Sequence, residues 1–177
     1  MRNFLRIAQG INVNLLALQV ASNPKLWGQD RIGKLWKERY PDLEIQEIMA
    51  RYTRSLSRDD LQCFWEPAAN VITEAKALAV TLCAAYKADQ IGRVMFTHLP
   101  AGQSIPQHAD TEGAYCNYYT RFHVPIQSEP GVRFQCGDEC IEMTPGEVWW
   151  ANIALPHSVV NQSQTPRVQL LVDLHIA

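Results

Sequence analysis

Apolar positions change their period near residue 90, and that change divides the chain. Residues 4–11 alternate enough to predict an opening strand. Asn12 then caps a short helix through about Ser22, with Leu15, Leu16, Leu18 and Val20 as apolar surface and Asn23-Pro24 as the stop. Residues 26–66 carry no sustained period, although 43–52 alternate as a strand would. The clearest helix is predicted over 67–86. There Val71, Ala75, Leu78, Ala79, Leu82 and Tyr86 follow the three-and-four spacing of one helix face. That face reads as scaffold packed on a sheet.

From Gly92 onward the period shortens to two. Strands are expected at about 93–99, 118–127, 132–136, 140–143, 148–151, 158–161 and 167–176. Turns between them carry Pro100-Ala-Gly102, Pro130-Gly131, Gly137-Asp138, Pro145-Gly146 and Gln164-Thr-Pro166. Short strands with turn signals this regular predict a mainly β fold of the jelly-roll kind, buttressed by N-terminal helices. One domain over 1–177 is expected, with a helical and irregular part at 1–90 and the jelly-roll core at 91–177.

Composition narrows the class. Of 177 residues, 47% are hydrophobic and 19% charged, which marks a folded chain and not a disordered one. A chain of this length buries roughly 70% of its unfolded surface, so it needs no disulfide or structural metal. A formal charge of −2 argues against a general affinity for nucleic acid, which needs a basic excess. No signal-peptide core follows Met1, and the most apolar window, 77–86, is about half a bilayer span. A cytoplasmic protein without membrane contact is the expectation. Its five cysteines (Cys63, Cys83, Cys116, Cys136, Cys140) include no CxxC pair, so free thiols are expected. Cys136 and Cys140, which could face each other across a hairpin, are the one pair to test.

Candidate chemistry lies in three places. His108-Ala-Asp110 follows the Pro/Gly loop at 100–106, and in extended backbone its imidazole and carboxylate point to the same side. Together they are two thirds of the facial triad that binds non-haem Fe(II). A third ligand should come from a later strand, and His157 stands at the entry to one. Arg167, ten positions on, opens the last strand. If Val168, Leu170 and Val172 line one face of that strand, Arg167 lies on the other. An inward guanidinium there needs an anion, and its planar fork suits a carboxylate.

These residues resemble the aspartyl/asparaginyl β-hydroxylase family of Fe(II)- and 2-oxoglutarate-dependent oxygenases. The resemblance runs over about 93–173. It rests on His108-Ala-Asp110, Arg121-Phe-His123-Val-Pro-Ile, Gly146-Glu-Val-Trp-Trp150, His157-Ser-Val-Val-Asn161 and Arg167-Val-Gln-Leu-Leu-Val-Asp173. It implies a double-stranded β-helix, or cupin-like jelly roll. It also implies iron on His108, Asp110 and His157, with 2-oxoglutarate and O2 in the remaining positions. Arg167 would pair with the distal carboxylate of 2-oxoglutarate, and Thr97 matches a hydroxyl that helps bind it. Arg121 and His123 match a basic pair near the co-substrate's 1-carboxylate. Two donors aimed into one pocket also need a dianion on chemical grounds. The implied reaction is hydroxylation of an unactivated C–H bond with formation of succinate and CO2. The chain departs from the animal peptide hydroxylases at Asp110, where they carry glycine. That departure bears on the peptide substrate and not on the oxygenase chemistry.

Free amino acids, proline among them, or other small molecules are the alternative substrates, and a non-catalytic cupin-like binding protein is the second alternative. Residues 26–66 are expected to build the outer wall of the pocket. Trp149 and Trp150 read as packing, His98 and His175 as structural or exposed. Tyr119 is divided between pocket and core, and Asn161 has the parity of His157 and could bond near the metal. Asn152 and Arg51 are weaker candidates for substrate contact.

Overall fold

Two antiparallel sheets stand face to face in a computed structural model of the chain, which describes residues 2–28, 38, 40–55 and 57–177. The strands are β1 (Phe4–Ala8), β2 (Gln46–Thr53), β3 (Cys63–Trp65), β4 (Gln90–Leu99), β5 (Ser104–His108), β6 (Thr120–Gln127), β7 (Val132–Cys136), β8 (Glu139–Ile141), β9 (Val148–Ala151), β10 (His157–Asn161) and β11 (Arg167–His175). The larger sheet runs β1-β9-β6-β11-β4-β2-β3 and the smaller β5-β10-β7-β8. This is the double-stranded β-helix. Helices α1 (Asn14–Ala21) and α2 (Thr73–Ala85) cover the outer face of the large sheet, and α3 (Ala114–Tyr118) leads into β6. No helix among the described residues is long and apolar enough to cross a membrane.

The alternation of β11 explains the layering. Val168, Leu170, Val172 and Leu174 point outward into one core with Leu16, Val20, Ala75, Ala79 and Leu82. Each large side chain fully buried there is worth about 1.5–3 kcal/mol. Arg167 and Asp173, of opposite parity, are buried on the face toward the small sheet. Between the sheets a second core of Phe4, Leu99, Phe134, Met143 and Val159 fills one end. The other end is a cavity.

Several expectations need correction. The helix expected over 67–86 is split into a 3-10 turn at Pro67–Asn70 and α2. The break rotates Val71 off the apolar stripe, where it is 42% exposed. Residues 100–106 are not all loop, because Ser104 to His108 form β5 and bring His108 into a sheet. In the hairpin of β7 and β8, Cys136 pairs with Glu139 and Cys140 with Gln135. That register puts the two thiols on opposite faces, Cys136 buried and Cys140 exposed, so they cannot bridge. All five cysteines are free.

Candidate metal and co-substrate site

His108 and His157 are directly opposed in register at the ends of β5 and β10, with ring centroids 4.2 Å apart. Each ring turns Nδ1 onto the carbonyl of the residue two before it, Pro106 at 2.8 Å and Leu155 at 3.0 Å. A carbonyl can only accept, so Nδ1 carries the proton and Nε2 is the nitrogen suited to a metal. Burial pulls the pKa of His157 below its ordinary value, which favours the neutral, ligating form. Asp110 follows β5, its N–H bonded to Ile153 O at 2.9 Å, and its Oδ1 lies 3.8 Å from His108 Nε2. One ligand atom from each of these three residues falls within 4.8 Å of the other two. Two imidazoles and one carboxylate so placed fit a divalent iron site.

Asp110 is not turned to solvent. Its Oδ2 accepts from Arg121 Nη1 at 2.8 Å. Arg121 in turn forks onto Asp173, Nε to Oδ1 at 2.8 Å and Nη2 to Oδ2 at 3.0 Å. Tyr115 Oη donates to the same Asp173 Oδ2 at 3.0 Å. So Arg121, expected beside the 1-carboxylate of the co-substrate, spends three of its donors on two aspartates. Its neighbouring carboxylates and buried hydrogen bonds raise its pKa further despite the opposing effect of burial. It stays charged.

Sheet register orders the rest of the cavity wall in layers. Thr97 on β4 faces Gln169 on β11, and that faces Pro125 on β6. Met95, Leu171 and His123 form the next layer; Arg121 and Asp173, with Arg93 beside them, form the last. Arg167 lies at the far end opposite Leu99. It is 4% exposed, and among the described residues it makes no ion pair and no side-chain hydrogen bond. Burial alone pushes its pKa down to about 10, which leaves it cationic. His123 is buried too, and among the described residues neither ring nitrogen has a hydrogen-bond partner. Burial, then the charges of Arg121 and Arg167, hold it well below the ordinary histidine value and hence neutral. An unpaired cation and an orphaned imidazole in one buried pocket are what a dianion would satisfy. The whole cavity is about 510 Å³.

The seven residues assigned to metal or co-substrate from sequence all line this cavity: Thr97, His108, Asp110, Arg121, His123, His157 and Arg167. Sequence reasoning missed Glu47, Tyr52, Arg58, Arg93 and Tyr115, which line it as well, and Asp173, which supports it. The parity of Arg93 with Thr97 on one strand was the available signal. Asn161 is elsewhere: its Nδ2 donates to Leu99 O, Pro100 O and Thr165 O. Tyr119 belongs to the core beside Cys63 and Tyr115, and Arg51 bonds Ile91 O. Asn152 bonds Asn3 O through its N–H. His98 and Trp27 pack together on the helix side, and His175 pairs with Asp89. Of the expected outer wall, Ile45, Glu47, Tyr52 and Arg58 take part, while residues 29–37, 39 and 56 lie outside the described residues.

Comparison with known proteins bears on the family and the fold. A family model described as aspartyl/asparaginyl beta-hydroxylase matches residues 62–176. An L-proline cis-4-hydroxylase of Rhizobium meliloti (strain 1021) is 34% identical over 55 residues, 31% of this chain and 20% of that protein. Among solved structures, a 2OG-Fe(II) oxygenase family oxidoreductase from Burkholderia pseudomallei superposes with a TM-score of 0.56. It is 14% identical, with 95% of this chain and 93% of that one covered. A viral collagen prolyl hydroxylase from Paramecium Bursaria Chlorella virus-1 gives 0.60 at 10% identity, covering 99% and 97%. At these identities the structures share the fold.

Proposed function

Because the chain belongs to the aspartyl/asparaginyl β-hydroxylase family, we propose that it is an Fe(II)- and 2-oxoglutarate-dependent oxygenase that hydroxylates a free amino acid or similar small molecule. One observation carries this reading: a His-Asp-His cluster shares its cavity with a buried arginine that has no anionic partner among the described residues. Asp110 and the segment similar to a proline hydroxylase favour a small substrate over a peptide. Hydroxylation of an aspartyl or asparaginyl residue in a peptide is the second reading, favoured by the family match.

His108, Asp110 and His157 would hold the metal, and Nδ1 anchoring of both rings fixes their orientation before it binds. Bound Fe(II) supplies the redox chemistry that couples oxidative decarboxylation of 2-oxoglutarate, to succinate and CO2, with insertion of one O2 oxygen into a C–H bond. Arg121 keeps Oδ2 of Asp110 occupied, so Oδ1 is the oxygen available for ligation. Arg167, with Thr97, holds the distal carboxylate of the co-substrate. His123, neutral and unpartnered, can donate one hydrogen bond to it without adding charge. Met95, Ile105, Phe134, Val159 and Leu171 line the cavity between these groups and exclude water.

The test is to supply Fe(II) and 2-oxoglutarate in air and to measure O2 uptake and succinate. Iron-dependent succinate formation is expected. A protein that takes up iron yet neither binds nor consumes 2-oxoglutarate would be a cupin-like binding protein instead.

A further inference from the structure

We propose that Arg93 anchors a carboxylate of the substrate, so that the site takes a free α-amino acid held at the opposite end of the cavity from 2-oxoglutarate; this rests on the oxygenase reading above. Arg93 shares the cavity face of β4 with Met95 and Thr97. Its guanidinium lies over two aromatic rings, Cζ 4.6 Å from the ring centre of Tyr52 and 3.7 Å from that of Tyr115. Its Nε is buried without a hydrogen-bond partner, and among the described residues the side chain makes no ion pair. With two aromatic rings against it and no carboxylate partner among the described residues, the guanidinium still has its in-plane N–H groups to satisfy. A planar fork of donors in a cavity suits a carboxylate.

The surroundings hold that guanidinium in place. The Arg93 backbone N–H donates to Tyr115 Oη at 2.6 Å, and the same hydroxyl donates to Asp173. Gly92 makes room for this arrangement, since a Cβ there would stand 2.6 Å from Tyr115 Oη and 2.8 Å from the Tyr119 ring. Asp173, the carboxylate of the same layer, is already taken by Arg121 and Tyr115 and does not neutralise Arg93. A preorganised cation left unsatisfied by the protein is a recognition element.

Position distinguishes this subsite from that of the co-substrate. Arg93 is four residues from Thr97, roughly 13 Å along the strand at the usual rise. It is also two strands across from Arg121, roughly 10 Å at the usual spacing. A carboxylate bound there shares the cavity with the His-Asp-His cluster and lies toward the end away from Arg167. The cavity rim near this end is strapped. Arg58 O accepts from Tyr115 N at 2.9 Å, Asp59 Oδ1 accepts from Ala114 N at 2.8 Å, and Arg58 pairs with Glu112. Gly113, at φ +86°, permits the contact, because a Cβ there would strike Arg58. A molecule that ends at its carboxylate fits beneath such a strap better than a chain that must continue past it.

The experiment is calorimetric titration of the twenty proteinogenic L-amino acids and their carboxamides into protein holding Fe(II) and 2-oxoglutarate without O2. At least one acid should bind, with its carboxamide at least 30-fold weaker. Arg93→Gln should weaken that acid at least 30-fold and Arg93→Lys less, while 2-oxoglutarate affinity stays within twofold. Equal binding of acid and carboxamide needs no variant and would overturn the anchor. So would unchanged affinity in Arg93→Gln, no binding by any acid, or binding only by an end-capped peptide containing aspartate. Succinate formation by wild type in air reports separately on the oxygenase reading, which fails if iron-loaded protein consumes no 2-oxoglutarate.

Discussion

Arg167 and Arg121 line the same cavity under opposite electrostatic conditions. Arg121 is matched by two aspartates, whereas Arg167 is buried with no anion beside it among the described residues. Arg167→Ala should therefore weaken 2-oxoglutarate binding by on the order of 3 kcal/mol, about 150-fold, as when a buried charge loses its partner. Titration of 2-oxoglutarate into iron-loaded protein measures it. Lysine at 167 should recover only part, because a point charge replaces a fork. Asp110→Gly should lower iron affinity and nearly abolish succinate formation while the fold persists; near-wild-type turnover at saturating iron would leave a two-histidine site. At this scale the sequence was legible where the signal is local. His108-Ala-Asp110 sits in extended backbone, and Arg167 opens a strand whose apolar alternation exposes its inward side. Arg93 and Asp173 obey the same parity, yet their meaning depends on Tyr115 and Arg121, which only the fold brings to them.

Among the elements, the loop between β10 and β11 shows how parity alone can mislead. Asn161 shares the parity of His157, but the strand carries it away from the cluster and into a knot of turns. There it donates to three carbonyls and accepts from Ser163 N at 3.1 Å and Oγ at 2.7 Å. It ties the end of β4 to the turn that launches Arg167. Asn161→Ala leaves several buried groups without partners and should cost about 2–4 kcal/mol. Chemical denaturation gives the loss directly. Iron affinity should be unchanged, which a bond near the metal would not allow. The regular strands after residue 90 were readable because each half-buried strand repeats its pattern between turn residues. Strand β5 was not, since Pro106 interrupts a five-residue stretch whose partners on β10 are remote in sequence. The helix at 67–86 was overextended because Val71 fits the stripe by spacing while the backbone breaks before it completes.

For the molecule as a whole, stability depends on keeping buried histidines neutral. The five thiols are free, so reductant should leave the melting temperature unchanged. Proton concentration should not. Burial lowers His123 well below its ordinary value, and lowers His157 and His98 in the same direction. A histidine depressed in the folded state contributes stability that is present above the unfolded pKa, about 6.5. As pH falls below that value the unfolded chain binds protons that the folded chain refuses, so folded stability declines toward the depressed pKa. His123 alone accounts for about 1.4 kcal/mol per pH unit in that window, the limit for one proton. Metal-free protein should thus be less stable at pH 5.5 than at pH 7 by at least about 1 kcal/mol, read from urea midpoints at constant slope. In His123→Gln the pH-dependent loss should shrink by roughly that amount, because glutamine has no proton to gain. The carboxylates Asp60 and Glu147 do not confuse the comparison. Hydrogen bonds to Asp60, and those to Glu147 against the effect of its burial, keep both below the usual carboxylate range, so their contribution is lost only at lower pH. A stability that stays flat from pH 7 to 5.5 would mean that His123 is charged in the fold, and its assignment as a neutral donor to the co-substrate would fall with it.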